Sequence, residues 1–96
     1  MDVRFLSIAE EEFFDAIDYY NEQQEELGFE FADEVRRTID QIVEFPDAWS
    51  KLSKRSRRCL VSRFPYGVVY QKRARFILIV AIMHLHKEPK HWQTRE

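Results

Sequence analysis

Three histidines near the carboxyl end of the chain are the first residues whose types and spacing could support chemistry. His84 and His86 stand two positions apart, so on a β-strand their side chains would share one face. Imidazole nitrogens bind zinc, but Glu88 is the only nearby carboxylate, and Lys87 would repel a cation. We therefore expect no metal site and interpret these histidines as polar residues at the end of a strand.

A second candidate is a basic segment in the middle of the chain. Five of the eight residues in 51–58 are Lys or Arg, and no aromatic residue lies among them. They are Lys51, Lys54, Arg55, Arg57 and Arg58. Such a segment suits contacts with phosphate or carboxylate groups, and it suits a solvated surface loop equally well.

Basic, imidazole and phenol side chains in the second half of the chain could also converge on one side of a sheet. Arg or Lys there could stabilise a phosphorane, and His or Tyr could move a proton, as a general-base ribonuclease requires. The candidates are Arg63, Tyr70, His84, His86, Lys87, His91, Trp92 and Arg95. Their spacing permits such a site without identifying it.

The charge of the chain is divided between its two halves. Residues 1–50 carry 15 acidic and 3 basic side chains, whereas residues 51–96 carry 2 acidic and 12 basic ones, although the net charge is only −2. Two solvated faces that attract one another would explain this division. A basic surface that binds an acidic partner or a nucleic acid would explain it equally well.

The elements that position these residues should be organised around residues 76–84. This apolar run is rich in β-branched and aromatic residues, so it predicts a central strand that is buried on both faces and ends at His84. Near the start of the chain, Ser7 and Glu10 predict the capping box of a helix, and Gly28 predicts the end of that helix.

The other elements complete a single domain of residues 1–96. A second helix should follow Gly28 and end before Pro46, forming a helical hairpin with the first. The order β-α-α-β-β-β predicts an α+β fold in which an antiparallel meander packs against this hairpin. The predicted strands are 3–8, 58–64, 68–72 and 76–84, with a loop over 47–58. The predicted core comprises Phe13, Ile17, Val35, Ile39, Ile42, Ile79, Ala81 and Ile82.

Cysteine content and hydropathy indicate where the protein works. Cys59 is the only cysteine, so no internal disulfide can form, which fits a reducing cytoplasm. The longest apolar run is far shorter than the roughly 20 residues that a membrane-spanning helix needs. We therefore expect a cytoplasmic protein without a membrane partner.

Several short motifs occur in a characteristic order over nearly the whole chain. They are Tyr19-Tyr20 with Gly28 and Phe31, Ile42–Pro46, Arg63-Phe-Pro-Tyr66, Val69-Tyr70, Ile79–His84, and Pro89 with Trp92 and Arg95. In this order they resemble the ParE/RelE superfamily of toxins from bacterial type II toxin–antitoxin systems. The β-α-α-β-β-β order agrees with that resemblance.

The resemblance implies a small toxin, without a cofactor, that a co-encoded antitoxin neutralises. ParE-like members inhibit DNA gyrase, whereas RelE-like members cut mRNA in the ribosomal A site. Ribosome-directed members tend to be strongly basic, as binding to ribosomal RNA requires. Because this chain has a pI near 5.9, we favour the ParE-like function and keep RelE-like cleavage as the alternative.

Each alternative assigns roles to particular residues. A RelE-like enzyme would use Arg63, His84 and His86 in catalysis. A ParE-like toxin would bind its target or antitoxin through Lys54, Arg55, Arg57, Arg58, Lys87, Trp92 and Arg95. We expect an acidic antitoxin tail to bind the sheet side of the fold and not the back of the helical hairpin. A homodimer is a further partnership that the sequence allows.

Overall fold

The computed structural model describes residues 1–87 and 91–95, and it has the predicted α+β architecture. Two helices are followed by most of a five-stranded sheet. The elements are β1 (Asp2–Phe5), α1 (Ser7–Gln23), α2 (Leu27–Glu44), β2 (Ser50–Lys51), β3 (Arg57–Leu60), β4 (Tyr66–Lys72), β5 (Phe76–His84) and a 3₁₀ helix (His91–Arg95). The predicted central strand and β5 have identical bounds.

The sheet is mixed: β3, β4 and β5 form the predicted antiparallel meander, and β1 adds a parallel strand at one edge. Its strand order is β1-β5-β4-β3-β2, and β1 runs parallel to β5 whereas the other pairs are antiparallel. A parallel pair needs a long crossover, which the helical hairpin provides. The predicted loop over 47–58 also contains β2, which pairs Ser50 with Arg58. Strand β5 therefore has neighbours on both sides, with β1 at the edge of the sheet.

Both helix signals read from the sequence were wrong in detail. Leu6, and not Ser7, occupies the N-cap position, and no side chain caps the helix. The Leu6 N–H donates to the Ile79 carbonyl, while the Leu6 carbonyl accepts the Glu10 N–H, each at 3.0 Å. The chain thus passes directly from the sheet into α1, and the backbone of Leu6 serves both elements.

Gly28 lies inside α2 and does not end α1. The left-handed residue between the helices is Glu26, with φ of 68°. A Cβ on Gly28 would lie 2.1 Å from the Ile17 carbonyl oxygen, and the Gly28 N–H donates to Asn21 Oδ1 at 2.7 Å. The glycine is therefore needed because the two helices approach closely at this position.

The connection between β3 and β4 is longer than predicted, because it spans residues 61–65 instead of 65–67. Strand β3 ends at Leu60, and Tyr66 and Gly67 belong to β4 instead of the turn. A Cβ on Gly67 would lie 2.9 Å from Cδ of Arg58, because the Arg58 stem packs across the strand there. Arg63 in the connection adopts a left-handed conformation with φ of 71°.

The main core lies between the helical hairpin and one face of the sheet. Ile79, Ile82, Val35 and Ile42 are buried there as predicted, and Phe13, Ile17 and Ile39 are half-buried and pack against them. The register of β4 against β5 shifts between Val69 and Tyr70. Val80 and Ala81 both belong to a second cluster, with Val69, Met83 and Trp92. In the described part of the chain, neither helix is long and apolar enough to cross a bilayer.

Candidate functional site

A cavity lies beside the carboxyl end of β5. Its volume is about 660 Å³, and α1 forms one wall while β4 and β5 form the other. Phenol, imidazole, carboxylate and ammonium groups line it, contributed by Asp15, Tyr19, Tyr20, Tyr66, His84 and Lys87 among others. Sequence analysis identified His84 and Lys87 but missed the α1 side. The spacing of Glu12, Asp15 and Tyr19 places them on one helical face, which was the available signal.

His84 stands at the rim of this cavity. Its ring meets the Tyr66 ring edge-on, with centroids 5.0 Å apart, and its Nδ1 accepts the His86 N–H at 3.1 Å. Burial lowers the pKa of His84, and the nearby His86 and Lys87 lower it further. The imidazole is therefore biased towards its neutral form, in which Nδ1, already bonded to the His86 N–H, is the nitrogen that can accept a proton.

Tyr20 and Tyr66, which line the cavity, have raised pKa values. Burial, with smaller effects from Tyr20, Tyr19 and Glu12, raises the pKa of Tyr66 to about 12. Burial and then Tyr19 raise the pKa of Tyr20. Both phenols therefore stay protonated at neutral pH and can offer an O–H donor or an aromatic face to a bound group.

Arg63 points to a different part of the molecule. Its Nη2 donates to Glu30 Oε1 at 2.8 Å, and Nη1 lies 3.5 Å from Glu34 Oε2. The hydrogen bond that Arg63 donates to Glu30 is the main cause that raises the pKa of Arg63. Arg63 is absent from the described lining of the cavity at His84. The structure therefore brings His84 and His86 together but does not bring Arg63 to them.

Trp92 and Arg95 connect the 3₁₀ helix to the rest of the fold. Trp92 is only 2% exposed and belongs to the second hydrophobic cluster. Arg95 donates through Nη1 and Nη2 to the Glu12 carboxylate at 2.8 and 3.0 Å, and Nη1 also donates to the Val80 carbonyl at 3.1 Å. The Ile82 N–H donates to the same carboxylate at 3.2 Å. Both predicted surface residues thus hold the 3₁₀ helix against β5.

The predicted basic segment is divided between two faces of the sheet. Lys54 and Arg55 are exposed in the β2–β3 connection. Arg57 and Arg58 are successive residues of β3, so their side chains point to opposite faces. Arg57 Nη1 donates to the Trp49 carbonyl at 2.7 Å on one face, and Arg58 packs over Gly67 on the other. Lys54, Arg55 and Arg58 are therefore the members available for a shared contact surface.

Comparison with solved structures shows which known fold this architecture matches. A structure of the chromosomal ParDE toxin–antitoxin system from P. aeruginosa matches with a TM-score of 0.78 and 12% sequence identity. The match covers 90% of this chain and 97% of the other. At that identity the similarity establishes the fold, and it supports the architecture expected from the resemblance.

Comparison with protein-family models then gives the particular family. The model described as ParE toxin of type II toxin–antitoxin system, parDE, matches residues 3–89. The chain therefore belongs to the ParE toxin family. No curated protein matches the chain significantly.

Proposed function

We propose that this ParE-family toxin inhibits DNA gyrase by binding and is neutralised by a cognate antitoxin. The observation that carries the proposal is the position of Arg63. Its guanidinium is held by Glu30 and Glu34 of α2, so the cation expected in a ribonuclease site lies away from His84. An inhibitor that acts by binding needs a contact surface and no assembled catalytic group.

The contact surface proposed for the target is formed by basic residues that follow the helical hairpin in the chain. Lys54, Arg55 and Lys87 are exposed, and Arg58 is half-buried on the face of the sheet away from the helices. Arg95 and Trp92 act indirectly, because they hold the 3₁₀ helix in place. Both gyrase and the antitoxin would be met in the cytoplasm.

The antitoxin should use the same basic side. An acidic, amphipathic tail would be attracted to Lys54, Arg55 and Arg58 and repelled by the acidic outer surface of α1, whose residues 7–23 carry six carboxylates and no basic side chain. Reversal of Lys54, Arg55, Arg57 and Arg58 to Glu should weaken binding and reduce its salt dependence. Unchanged affinity at low and high salt would contradict this assignment.

The experiment that tests the activity pairs two assays on the purified toxin. We expect inhibition of gyrase supercoiling, lost in a Lys54→Glu/Arg55→Glu variant, and no cleavage of mRNA on programmed ribosomes. The matched control is Asp33→Lys, which reverses a charge on α2. In the wild type Asp33 forms an exposed ion pair with Arg36. Supercoiling that continues unaffected at saturating toxin would contradict the proposal.

The second candidate, RelE-like mRNA cleavage, is favoured by one feature of the cavity. The neutral His84 imidazole, adjacent to Tyr66 and His86, is placed to act as a general base on a bound nucleotide. In that case His84→Ala should lower A-site cleavage by orders of magnitude while the fold survives. The gyrase proposal would give way to this one if the toxin cleaved mRNA in the A site, if His84→Ala abolished that cleavage, and if the toxin left gyrase supercoiling unaffected.

A further inference from the structure

Strand β1 leaves one edge of the sheet open. In the strand order β1-β5-β4-β3-β2, β1 pairs with β5 on one side, and no described strand pairs with its other side. The opposite edge, β2, has only two residues, so β1 with four is the longer open edge. Unpaired N–H and C=O groups along such an edge can hydrogen-bond to a strand of another chain.

An apolar groove follows this open edge on the helix side of the sheet. Its volume is about 380 Å³. Its lining includes Val3, Phe5, Phe13, Ile17, Val35 and Ile39. The sheet ends at β1, and these groove side chains are half-buried except for Val35, which is fully buried. One further strand beyond β1 would cover them.

The sequence of β1 is complementary to itself. Val3 and Phe5 are half-buried and belong to the main core, whereas Asp2 and Arg4 are exposed and alternate with them. If two copies of β1 pair antiparallel about Val3, each Asp2 lies opposite Arg4 of the other copy. Opposite charges at facing positions stabilise a strand pair, and like charges destabilise it. Arg4 packs over the Phe76 ring at 4.3 Å, which holds its guanidinium on that face.

We propose that a second copy of this chain pairs with β1 in this register, forming a symmetric dimer with one continuous ten-stranded sheet. Residue contacts in a two-fold interface are reciprocal, and the Asp2–Arg4 match satisfies this requirement twice. The two apolar grooves meet over the symmetry axis, where the helical hairpins of the two copies cover them jointly. An unrelated peptide would have no reason to match the charge alternation of β1.

Charge reversal tests the register. We expect sedimentation equilibrium of the purified toxin to show a monomer–dimer equilibrium. Asp2→Arg and Arg4→Asp should each weaken dimerisation by about tenfold or more, and the double variant should restore it to within about threefold, because the charge pairs are re-formed in exchanged positions. Lys51→Asp in β2, at the opposite edge, is the matched control and should have no effect.

Disulfide capture provides a second measurement that does not depend on charge. In the proposed register the two Val3 residues face each other, so a Val3→Cys variant should form an intermolecular disulfide on oxidation. An Arg4→Cys variant should not form this disulfide, because the two copies of residue 4 would not face each other. Cys59 is buried and therefore adds little background oxidation.

Three results would overturn the proposal. The first is a toxin that stays monomeric at high concentration, even if the antitoxin later pairs with β1. The second is a dimer that neither single charge reversal weakens. The third is a disulfide that forms through Arg4→Cys and not through Val3→Cys.

Discussion

In the described part of the chain, two arginines of the basic half, Arg95 and Arg63, each bind a glutamate of the acidic helical hairpin. The two ion pairs differ in how far their side chains are exposed to solvent. Arg95 has a side chain only 13% exposed and binds Glu12 through two hydrogen bonds. Arg63 has a side chain 56% exposed and binds the half-exposed Glu30. Because one pair also bonds to the backbone, we expect equal charges at similar distances to stabilise the fold by different amounts.

Arg95 and Glu12 bond to backbone groups of β5 that lie beyond the end of β1. Strand β1 ends at Phe5, which pairs with Ile79, so the later residues of β5 have no β1 neighbour. On that side the Ile82 N–H donates to Glu12, and the Val80 carbonyl accepts from Arg95. Backbone groups that would otherwise lack partners are thereby satisfied, which the Arg63 connection does not do.

The largest loss of stability should come from a buried residue in the part of β5 that pairs with β1 and β4. Ile79→Ala should lower the free energy of unfolding by about 2–5 kcal/mol, because it removes buried methyl groups and leaves a cavity. Denaturant titration measures the change, and Leu60→Ala, at an exposed position on β3, is the control. A loss below a few tenths of a kcal/mol would contradict the central place given to β5.

The Arg95–Glu12 connection should come second in magnitude. We expect Arg95→Ala to cost about 2–3 kcal/mol, since it removes two hydrogen bonds from the partly buried Glu12 carboxylate and one from the Val80 carbonyl. A double-mutant cycle with Glu12→Gln separates their coupling, and Glu11→Gln on the exposed face of α1 serves as the control. Additive effects of the two substitutions would show that the pair does not act as a unit.

Replacing Arg63 with glycine should raise the stability slightly, whereas the two substitutions above lower it. Arg63→Gly removes an exposed ion pair that solvent screens, and it relieves the left-handed conformation at φ of 71°. We therefore expect a slightly higher melting temperature in Arg63→Gly than in Arg63→Ala, which keeps the strain. Equal and large decreases in both variants would show that the ion pair outweighs the conformational strain.

The smallest expected effect is a pH dependence at the rim of the cavity. Burial lowers the pKa of His84 in the folded protein, so the unfolded chain binds this proton first as the pH falls below about 6.5. The His84 contribution therefore favours folding above that pH and is lost as the imidazole protonates. The free energy of unfolding, measured from pH 7.5 to 5.5, should decline less in His84→Gln than in the wild type. Parallel curves of this free energy against pH would contradict the lowered pKa of His84.

The sequence predicted those parts of the fold that depend on local patterns. The apolar run of β5 and the amphipathic helices could be recognised because their periodicity needs no knowledge of distant residues. The Glu12–Arg95 contact joins residues 83 positions apart, and Gly28 has its role because α1 passes close by. The cavity was found only in part for the same reason, since one of its walls comes from α1, where no candidate site residue was predicted.

The parallel pairing of β1 with β5 has a consequence for the order of folding. Strands β3, β4 and β5 join through short connections, whereas β1 pairs residue 2 with residue 76 across the whole helical hairpin. Closing so long a loop is costly in entropy, so the β4–β5 hairpin should form in the transition state and β1 should join afterwards. Chevron analysis would then show Val3→Ala raising the unfolding rate and Val68→Ala slowing folding. The edge that we assign to the dimer would be the last part of the sheet to form and the first to open.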